Sequence, residues 1–319
     1  MKNSDTQFQN VHDLIGKMTQ ITESLGPDDL LFFRGHESNQ FEVLPSIYRE
    51  THWITNEDRM IREIIMRCPG EFNAMASSFE KLVKMQHYGL PTRLLDLTSN
   101  PLIALWFACQ QWKGKSPEES PDENHNGGEL LIFKIPKSEI KYFDSDTVSV
   151  ISNIAWTKEN FQIMQGCDGT PTNWNKKTNN HALQHLHFIK QEKPYFLEKV
   201  NPKHLQSVVC VRAKMDNPRI VRQDGAFLLF GMGSSKRKSA SVPADWRYSS
   251  EGERFIIKEE DKPKILEQLV SIGVSKASIF PEIDMVAQFI RDDPGLNDKD
   301  FVRESNAFKP TIVIGRRQR

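Results

Sequence analysis

One stretch of the chain, residues 85 to 109, restricts its fold more than any other. It closes one predicted helix, turns at Gly89 and Pro91, and opens a second helix at Ser99-Asn100-Pro101. Polar groups are costly to bury unless they are paired. Because the surrounding residues are mostly apolar, the polar cluster here is either a hydrogen-bonded lock within the fold or a functional site. Its members are Gln86, His87, Tyr88, Arg93 and Asp96.

The composition is typical of a globular protein and does not indicate what the protein binds. Of 319 residues, 38% are hydrophobic, and the 42 basic residues balance the 42 acidic ones, so bulk charge argues neither for nor against a nucleic-acid or membrane partner. Four widely spaced cysteines without a CxxC pair favour a reducing compartment. No apolar run approaches the roughly 18 residues of a membrane span, and residues 1 to 10 lack a signal-peptide core. We therefore expect a cytoplasmic protein that has no membrane partner.

Hydrophobic periodicity predicts an α+β fold, with a helical N-terminal half packed on a mixed or antiparallel sheet. Residues 8 to 25 form an amphipathic helix that ends at Gly26-Pro27. A capping box of Thr55 and Asp58 is expected to open another helix. Strands are expected at residues 30–33, 129–135, 208–211, 226–230, 254–258 and 277–280.

Arg34 stands at the end of an apolar predicted strand, before Gly35, whose missing side chain permits a close backbone approach. A guanidinium in such a place can clamp a phosphate or a carboxylate through two parallel hydrogen bonds. The alternative is a structural ion pair with Asp96 or Glu282, because buried arginines are usually paired. From this segment alone the structural ion pair is favoured.

The cluster around His87 also has two interpretations. An imidazole titrates near neutral pH, which suits acid–base catalysis, and the Tyr88 ring beside it could stack on a ligand. The structural alternative is a buried bridge between Arg93 and Asp96 that fixes the turn, with His87 capping the preceding helix. Spacing alone favours the structural alternative.

Three further segments carry weaker signals. Gly225, which follows Gln223 and Asp224, marks either a close ligand approach or an ordinary turn. His181 and His185 are spaced for one helix face, but no HExxH pattern accompanies them, so no metal is expected. The basic run at residues 236–238 is typical of a solvated loop.

Several motifs together resemble the FRG-domain family, over roughly residues 28 to 291. Its Phe-Arg-Gly motif stands here at residues 33–35, and its most specific block, Gln-His-Tyr-Gly-Leu-Pro-Thr-Arg-Leu-Leu-Asp, stands at residues 86–96. Residues 44–49, 223–227 and 280–284 are similar to further family motifs. Two departures are Leu97, where the family commonly carries Trp, and Asp224, where it often carries Gln. The resemblance implies three parts: an N-terminal helix at 1–27, the FRG domain at 28–291, and an extension at 292–319 with a final strand and a basic tail.

Family members are bacterial and phage-associated proteins, some of them toxins or anti-phage effectors. A second, motif-level likeness is to ADP-ribosyltransferases, which place an arginine, often before a glycine, at the end of their first strand. That likeness implies that Arg34 and Gly35 hold NAD, that Glu282 or Gln223 is catalytic, and that His87 and Tyr88 contact the nicotinamide ribose. It also implies that Arg93 and Asp96 support the wall of the pocket.

Three hypotheses for function follow. The leading one is an NAD-using ADP-ribosyltransferase or glycohydrolase with a protein or nucleic-acid acceptor. The second is a module that binds a phosphate, a nucleotide or a nucleic acid without catalysis. The third is a nuclease or other hydrolase with His87 as its base. The sequence does not predict an oligomeric state.

Overall fold

Eight strands form one mixed sheet in this computed structural model, which describes residues 5–111, 127–163, 180–248, 253–283 and 285. The strands are β1 (Thr6–Gln7), β2 (Asp29–His36), β3 (Leu94–Thr98), β4 (Gly128–Pro136), β5 (Ile140–Tyr142), β6 (Val208–Arg212), β7 (Gly225–Phe230) and β8 (Phe255–Ile257). Their order is β1-β8-β4-β2-β3-β7-β6-β5. The outermost pairs, β1 with β8 and β5 with β6, are parallel, and the inner pairs are antiparallel.

Twelve α-helices lie among the described residues. They are α1 (Val11–Glu23), α2 (Thr51–Thr55), α3 (Glu57–Arg67), α4 (Pro69–Phe72), α5 (Ser78–His87), α6 (Pro101–Ala108), α7 (Asp146–Ser152), α8 (Asn180–Glu192), α9 (Pro202–Leu205), α10 (Pro218–Arg222), α11 (Lys262–Ser271) and α12 (Lys276–Ile279). The predicted α+β class with a mixed sheet is confirmed. The sequence elements predicted at 292–319 lie outside the described residues.

The two faces of the sheet are covered differently. On one face, two apolar clusters pack against helices: α3, α5, α7 and α8 on one side, and α1, α6 and α11 on the other. The opposite face packs against segments that carry Ala240 and Trp246. Side chains alternate between the faces of a strand. Leu94, Asp96 and Thr98 therefore belong to the helix-bearing face, and Leu95 and Leu97 belong to the other.

The glycine of the Phe-Arg-Gly motif lies where the sheet meets α6. A Cβ atom on Gly35 would overlap the Ala104 carbonyl oxygen and the Ala108 backbone nitrogen. A Cβ on Gly128, in the neighbouring strand β4, would overlap the Ala108 carbonyl oxygen. The close backbone approach expected at Gly35 is therefore made by helix α6.

Arg93 is fully buried and lies in an ion network that the sequence does not predict. Its Nε donates to Glu57 Oε1 at 2.9 Å, its Nη2 donates to Glu57 Oε2, and its Nη1 donates to the Phe230 carbonyl at 3.0 Å. Lys236 Nζ lies 3.1 Å from the same carboxylate. The predicted Arg93–Asp96 bridge is wrong, because residues three apart on an extended chain point to opposite sides. Lys236 is also buried rather than solvated.

Several local expectations need correction. Residues 277–280 were expected to be a strand, but Ser275 and Ser278 form a capping box that starts helix α12. Thr55 ends α2 and does not cap α3, whose N-cap residue, Asn56, makes no side-chain capping hydrogen bond. Strand β3 is absent from the sequence prediction, although Leu94–Thr98 pairs along its length with β7. The turn before β7 is made by Asp224. Its φ is 45°, in the left-handed region, which aspartate adopts more readily than most residues.

Candidate functional site

A cleft of about 470 Å³ opens on the helix-bearing face of the sheet. We call it the large cleft. One wall is helix α5, which contributes Phe79, Val83 and His87, and the segment that enters α10 forms the opposite wall. Glu282 closes one end, and Tyr88, with 67% of its surface exposed, stands at the rim. The lining combines apolar side chains with a few charged ones, which is the usual construction of a small-molecule site.

His87 and Glu282 meet inside this cleft. His87 is the last residue of α5, and its Nε2 lies 3.0 Å from Glu282 Oε1. The Glu282 side chain is 28% exposed, yet both carboxylate oxygens are shielded from solvent and neither forms a hydrogen bond among the described residues. A shielded carboxylate without well-aligned hydrogen bonds is costly. A ligand in the cleft can supply such hydrogen bonds.

The other nitrogen of His87 faces Asn217. The Asn217 amide nitrogen lies 3.2 Å from His87 Nδ1, and its carbonyl oxygen accepts from the Arg219 backbone N–H at 2.8 Å. Asn217 is thus the N-cap of α10, with Pro218 as its first helical residue. Burial, followed by the nearby Arg219 charge, lowers the pKa of His87, so the imidazole is neutral near pH 7.

Arg219 is the cation of the large cleft that lacks a carboxylate partner among the described residues. Lys84 pairs with Glu71 at 2.5 Å, and Lys214 pairs with Glu80. The Arg219 guanidinium instead lies 4.6 Å from the ring centroid of Phe280, in a cation–π contact. This leaves its N–H donors open to an anionic ligand.

A smaller cavity of about 50 Å³ adjoins the large cleft and shares His87, Asn217 and Arg219 with it. Gln223 and Asp96 line this smaller cavity and not the large cleft. The Gln86 amide nitrogen donates to Asp96 Oδ2 at 2.8 Å, and its carbonyl oxygen accepts from the Thr92 hydroxyl. The polar cluster of residues 86–96 is therefore split: Gln86 and Asp96 form a small network beside the cleft, while Arg93 is in the buried ion network.

Arg34 lines neither cavity, and strand alternation explains why. It shares the face of the sheet with Phe32 and His36, opposite to the helices that build the cleft. Its Nε donates to His36 Nε2 at 3.0 Å and its Nη1 donates to the Asp96 carbonyl at 2.8 Å, with the Asp96 carboxylate 4.0 Å away. Burial lowers the pKa of Arg34 to about 10 and that of His36 to about 3. The contact with Asp96 matches the structural ion pair that the sequence favours.

Of the eight predicted site residues, the structure thus brings His87, Tyr88 and Glu282 into the large cleft and Gln223 and Asp96 into the adjoining cavity. Arg34, Gly35 and Arg93 lie elsewhere. Sequence analysis missed Asn217 and Arg219. The available signal was the pair Asn217-Pro218, which reads as a helix start just upstream of Gln223.

The histidines of α8 do not form a metal site in the described part of the chain. His185 is buried, and its Nε2 lies 2.8 Å from the Val150 carbonyl. Across the residues that the structure describes, no group of three or more histidine, cysteine, aspartate or glutamate side chains could hold a metal ion. Within the same residues, no helix combines the length and the apolar character needed to cross a bilayer.

Comparison with known proteins identifies one domain. Residues 29–116 match the family model described as FRG domain, so the chain carries an FRG domain, as its motifs predict. The match spans β2 to the end of α6 and includes His87, Tyr88 and Asp96, but it ends before Asn217, Arg219 and Glu282. Neither the curated proteins nor the solved structures provide a match to this chain.

Proposed function

We propose that this FRG-domain protein cleaves the bond between nicotinamide and ribose in NAD, as an ADP-ribosyltransferase or glycohydrolase, and that Glu282 is its catalytic carboxylate. The observation that supports this most directly is the Glu282 carboxylate itself. It lies in a cleft of nucleotide size, 3.0 Å from His87 Nε2, and neither of its oxygens forms an aligned hydrogen bond with the described residues.

The chemistry suits a single carboxylate. As the glycosidic carbon–nitrogen bond breaks, both electrons move to the pyridinium nitrogen, nicotinamide leaves neutral, and positive charge develops on the ribose. A fixed anion beside that carbon stabilises the oxocarbenium-like transition state. Water or an acceptor group then forms the new bond to the ribose carbon and releases a proton. Water as the attacking group gives a glycohydrolase, and a protein or nucleic-acid group gives a transferase.

Two other cleft residues support a nucleotide ligand. Arg219 has N–H donors that no carboxylate among the described residues occupies, and it would take the phosphates in the role that the sequence assigns to Arg34. Tyr88 is exposed at the rim, and its ring meets the His87 ring at 4.9 Å, so it offers a face on which a base can stack. Gln223 is set apart from Glu282 by its place in the adjoining cavity.

A second candidate is a nucleotide-binding module without catalysis. The open donors of Arg219 support this candidate as well as they support the enzyme. A hydrolase with His87 as base is the weakest of the three hypotheses. One imidazole nitrogen faces the Asn217 amide and the other faces Glu282, so neither nitrogen is open to a substrate.

The test is NAD turnover by the full chain, followed as nicotinamide release, with labelled NAD offered in parallel with protein, DNA and RNA acceptors. Glu282→Gln keeps the shape and removes the charge, and we expect it to lower kcat by about 100-fold or more. Arg219→Met should mainly raise KM, because it removes binding of the phosphates. Glu63→Gln, in an exposed ion pair with Arg67 on α3 outside the cleft, is the matched control and should leave turnover unchanged.

Arg34→Met tests which arginine binds the phosphates: Arg34, as the likeness to ADP-ribosyltransferases implies, or Arg219, which lines the cleft. If Arg34 binds the phosphates, this variant fails and Arg219→Met does not; we expect the reverse. NAD binding without turnover in the wild type would support the binding module instead. Absence of both binding and turnover, in folded protein offered all the acceptors, would refute the proposal.

The biological setting is also a proposal. A role as a bacterial toxin or anti-phage effector is supported by the resemblance to the FRG family. A cytoplasmic location is supported by Cys68, Cys109 and Cys210, which are free thiols, as a reducing compartment would maintain them.

A further inference from the structure

We infer that Asn217 is a positioning residue for Glu282: it fixes the tautomer of His87 so that a neutral imidazole presents an N–H, and not a lone pair or a full positive charge, to the carboxylate. This inference rests on the proposed function for its catalytic consequence. Its structural part stands on hydrogen-bond chemistry alone.

The hydrogen bonds of Asn217 determine the orientation of its side-chain amide. The oxygen and nitrogen ends of an amide have nearly the same shape, so their hydrogen-bond partners identify which end is the oxygen. Here the atom 2.8 Å from the Arg219 backbone nitrogen accepts a hydrogen bond, because a backbone N–H can only donate. That atom is therefore the Asn217 oxygen. The helix cap thus assigns the NH₂ group to the end that faces His87.

The orientation of the Asn217 amide in turn determines the tautomer of His87. An amide NH₂ can only donate, so His87 Nδ1, 3.2 Å away, must offer its lone pair. A neutral imidazole with a lone pair on Nδ1 carries its proton on Nε2. Nε2 lies 3.0 Å from Glu282 Oε1, so this proton is next to the carboxylate, although the two groups are not aligned as a hydrogen bond. A second proton on the ring would place an Nδ1–H against the Asn217 NH₂ group, so the cap also opposes the charged form of His87.

The neutral imidazole of His87 leaves the negative charge of Glu282 uncancelled in the cleft. The charged groups around His87 are Lys84 on its own helix, Arg219 on α10, Asp96 on β3 and Glu282. Because the imidazole stays neutral, it orients Glu282 without cancelling the negative charge. A cleft that joins an uncancelled carboxylate to the open guanidinium of Arg219 selects a ligand with a cationic end and an anionic end. A pyridinium N-glycoside that carries phosphates has this character, whereas a neutral purine nucleoside does not.

Two substitutions at Asn217 separate capping from tautomer control. Asn217→Ser keeps a good N-cap but loses the donor to His87, so both tautomers should become populated. Asn217→Asp also keeps the cap, but its carboxylate draws a proton to Nδ1. His87 then lies between two carboxylates, and we expect its pKa to rise, which increases the charged fraction of the imidazole. The imidazolium would neutralise Glu282 and lower NAD turnover at pH 7 by about tenfold.

The direct measurement is the tautomer, read by long-range ¹H–¹⁵N correlation in the full chain labelled at histidine, with His87→Gln used to identify the signal. The expected wild-type result is a protonated Nε2 and an unprotonated Nδ1. A protonated Nδ1 in the wild type, or the same spectrum in Asn217→Asp, would overturn the inference. The spectrum does not depend on turnover, so an inactive wild type with the expected tautomer would refute only the proposed function. Turnover of neutral nucleosides as fast as NAD would refute the ligand class.

Discussion

Arg93 and Asp96 differ in environment although they are three residues apart. Arg93 is 0% exposed and shares Glu57 with Lys236, whereas 56% of the Asp96 side chain is exposed and its ion pair with Arg34 spans 4.0 Å. Although burial opposes it, the Glu57 carboxylate raises the pKa of Arg93, so this guanidinium remains charged. Removing one partner of a buried pair leaves an uncompensated charge, and removing an exposed partner leaves a solvated one.

We therefore predict that Arg93→Met destabilises the fold by about 3–5 kcal/mol, and that Asp96→Ala costs less than about 1 kcal/mol. Urea unfolding of the two variants beside the wild type measures both values. The pair tests the network directly, since a bridge between the two residues would give both substitutions a large and similar cost. Equal losses of stability would contradict the assignment of Glu57 as the partner of Arg93.

At the scale of elements, the contact of strands β2 and β4 with helix α6 depends on the absence of two side chains. Gly35→Ala places a Cβ atom against the Ala104 carbonyl, which is helix backbone and cannot rotate away. We predict a loss of at least about 1–3 kcal/mol from this overpacking. The matched substitution is Gly16→Ala in the exposed part of α1, where nothing lies within 4 Å of the added atom. That variant should gain about 0.5–1 kcal/mol from helix propensity.

Thermal unfolding of the two glycine variants decides whether the motif glycine is structural. A lower Tm for Gly35→Ala and a higher Tm for Gly16→Ala fit the close contact with α6. If Gly35→Ala unfolds like the wild type but binds NAD more weakly, the glycine belongs to a ligand site, as the motif-level likeness implies.

The individual strands and helices also show which parts of the fold can be predicted from the sequence. Buried strands such as β4 and β7 are long apolar runs, so their pattern predicts them. Strand β3 has five residues between a turn and a helix start, and nothing local distinguishes it from a connection; only its pairing with β7 makes it a strand. Residues 277–280 are apolar enough for a strand, but the Ser275–Ser278 capping box outweighs that pattern.

For the molecule as a whole, the two faces of the sheet decide which predicted site residues meet. His87 and Glu282 are almost 200 residues apart in the chain, yet they and Tyr88 line one cleft on the same face of the sheet. Arg34 is central in the sheet, but its side chain belongs to the other face. The spacing of motifs along the chain indicates neither the face of the sheet on which a side chain lies nor the distant residues that it contacts. The sequence could therefore not predict that Arg219, and not Arg34, lines the same cleft as Glu282.

Buried histidines make the stability of the whole molecule sensitive to acid. Burial, with a smaller effect of the Arg93 charge, lowers the pKa of His185 to about 4, against an ordinary value of 6.5. The unfolded chain then takes up a proton at a higher pH than the folded one. The stability contributed by neutral His185 is complete above pH 6.5 and is lost as the pH falls toward 4. The loss at this one residue is about 3 kcal/mol.

We predict that His185→Gln flattens the pH dependence of unfolding between pH 6.5 and 4, because a glutamine amide can still donate to the Val150 carbonyl, 2.8 Å from His185 Nε2, but cannot be protonated. His12→Gln, at an exposed position of α1, is the matched control and should keep the wild-type slope. Urea midpoints at several pH values give the slopes. Since His36, with a pKa near 3, remains on the other face of the sheet, part of the acid sensitivity should persist in His185→Gln. A slope unchanged from the wild type would mean that His185 is not held neutral in the folded protein.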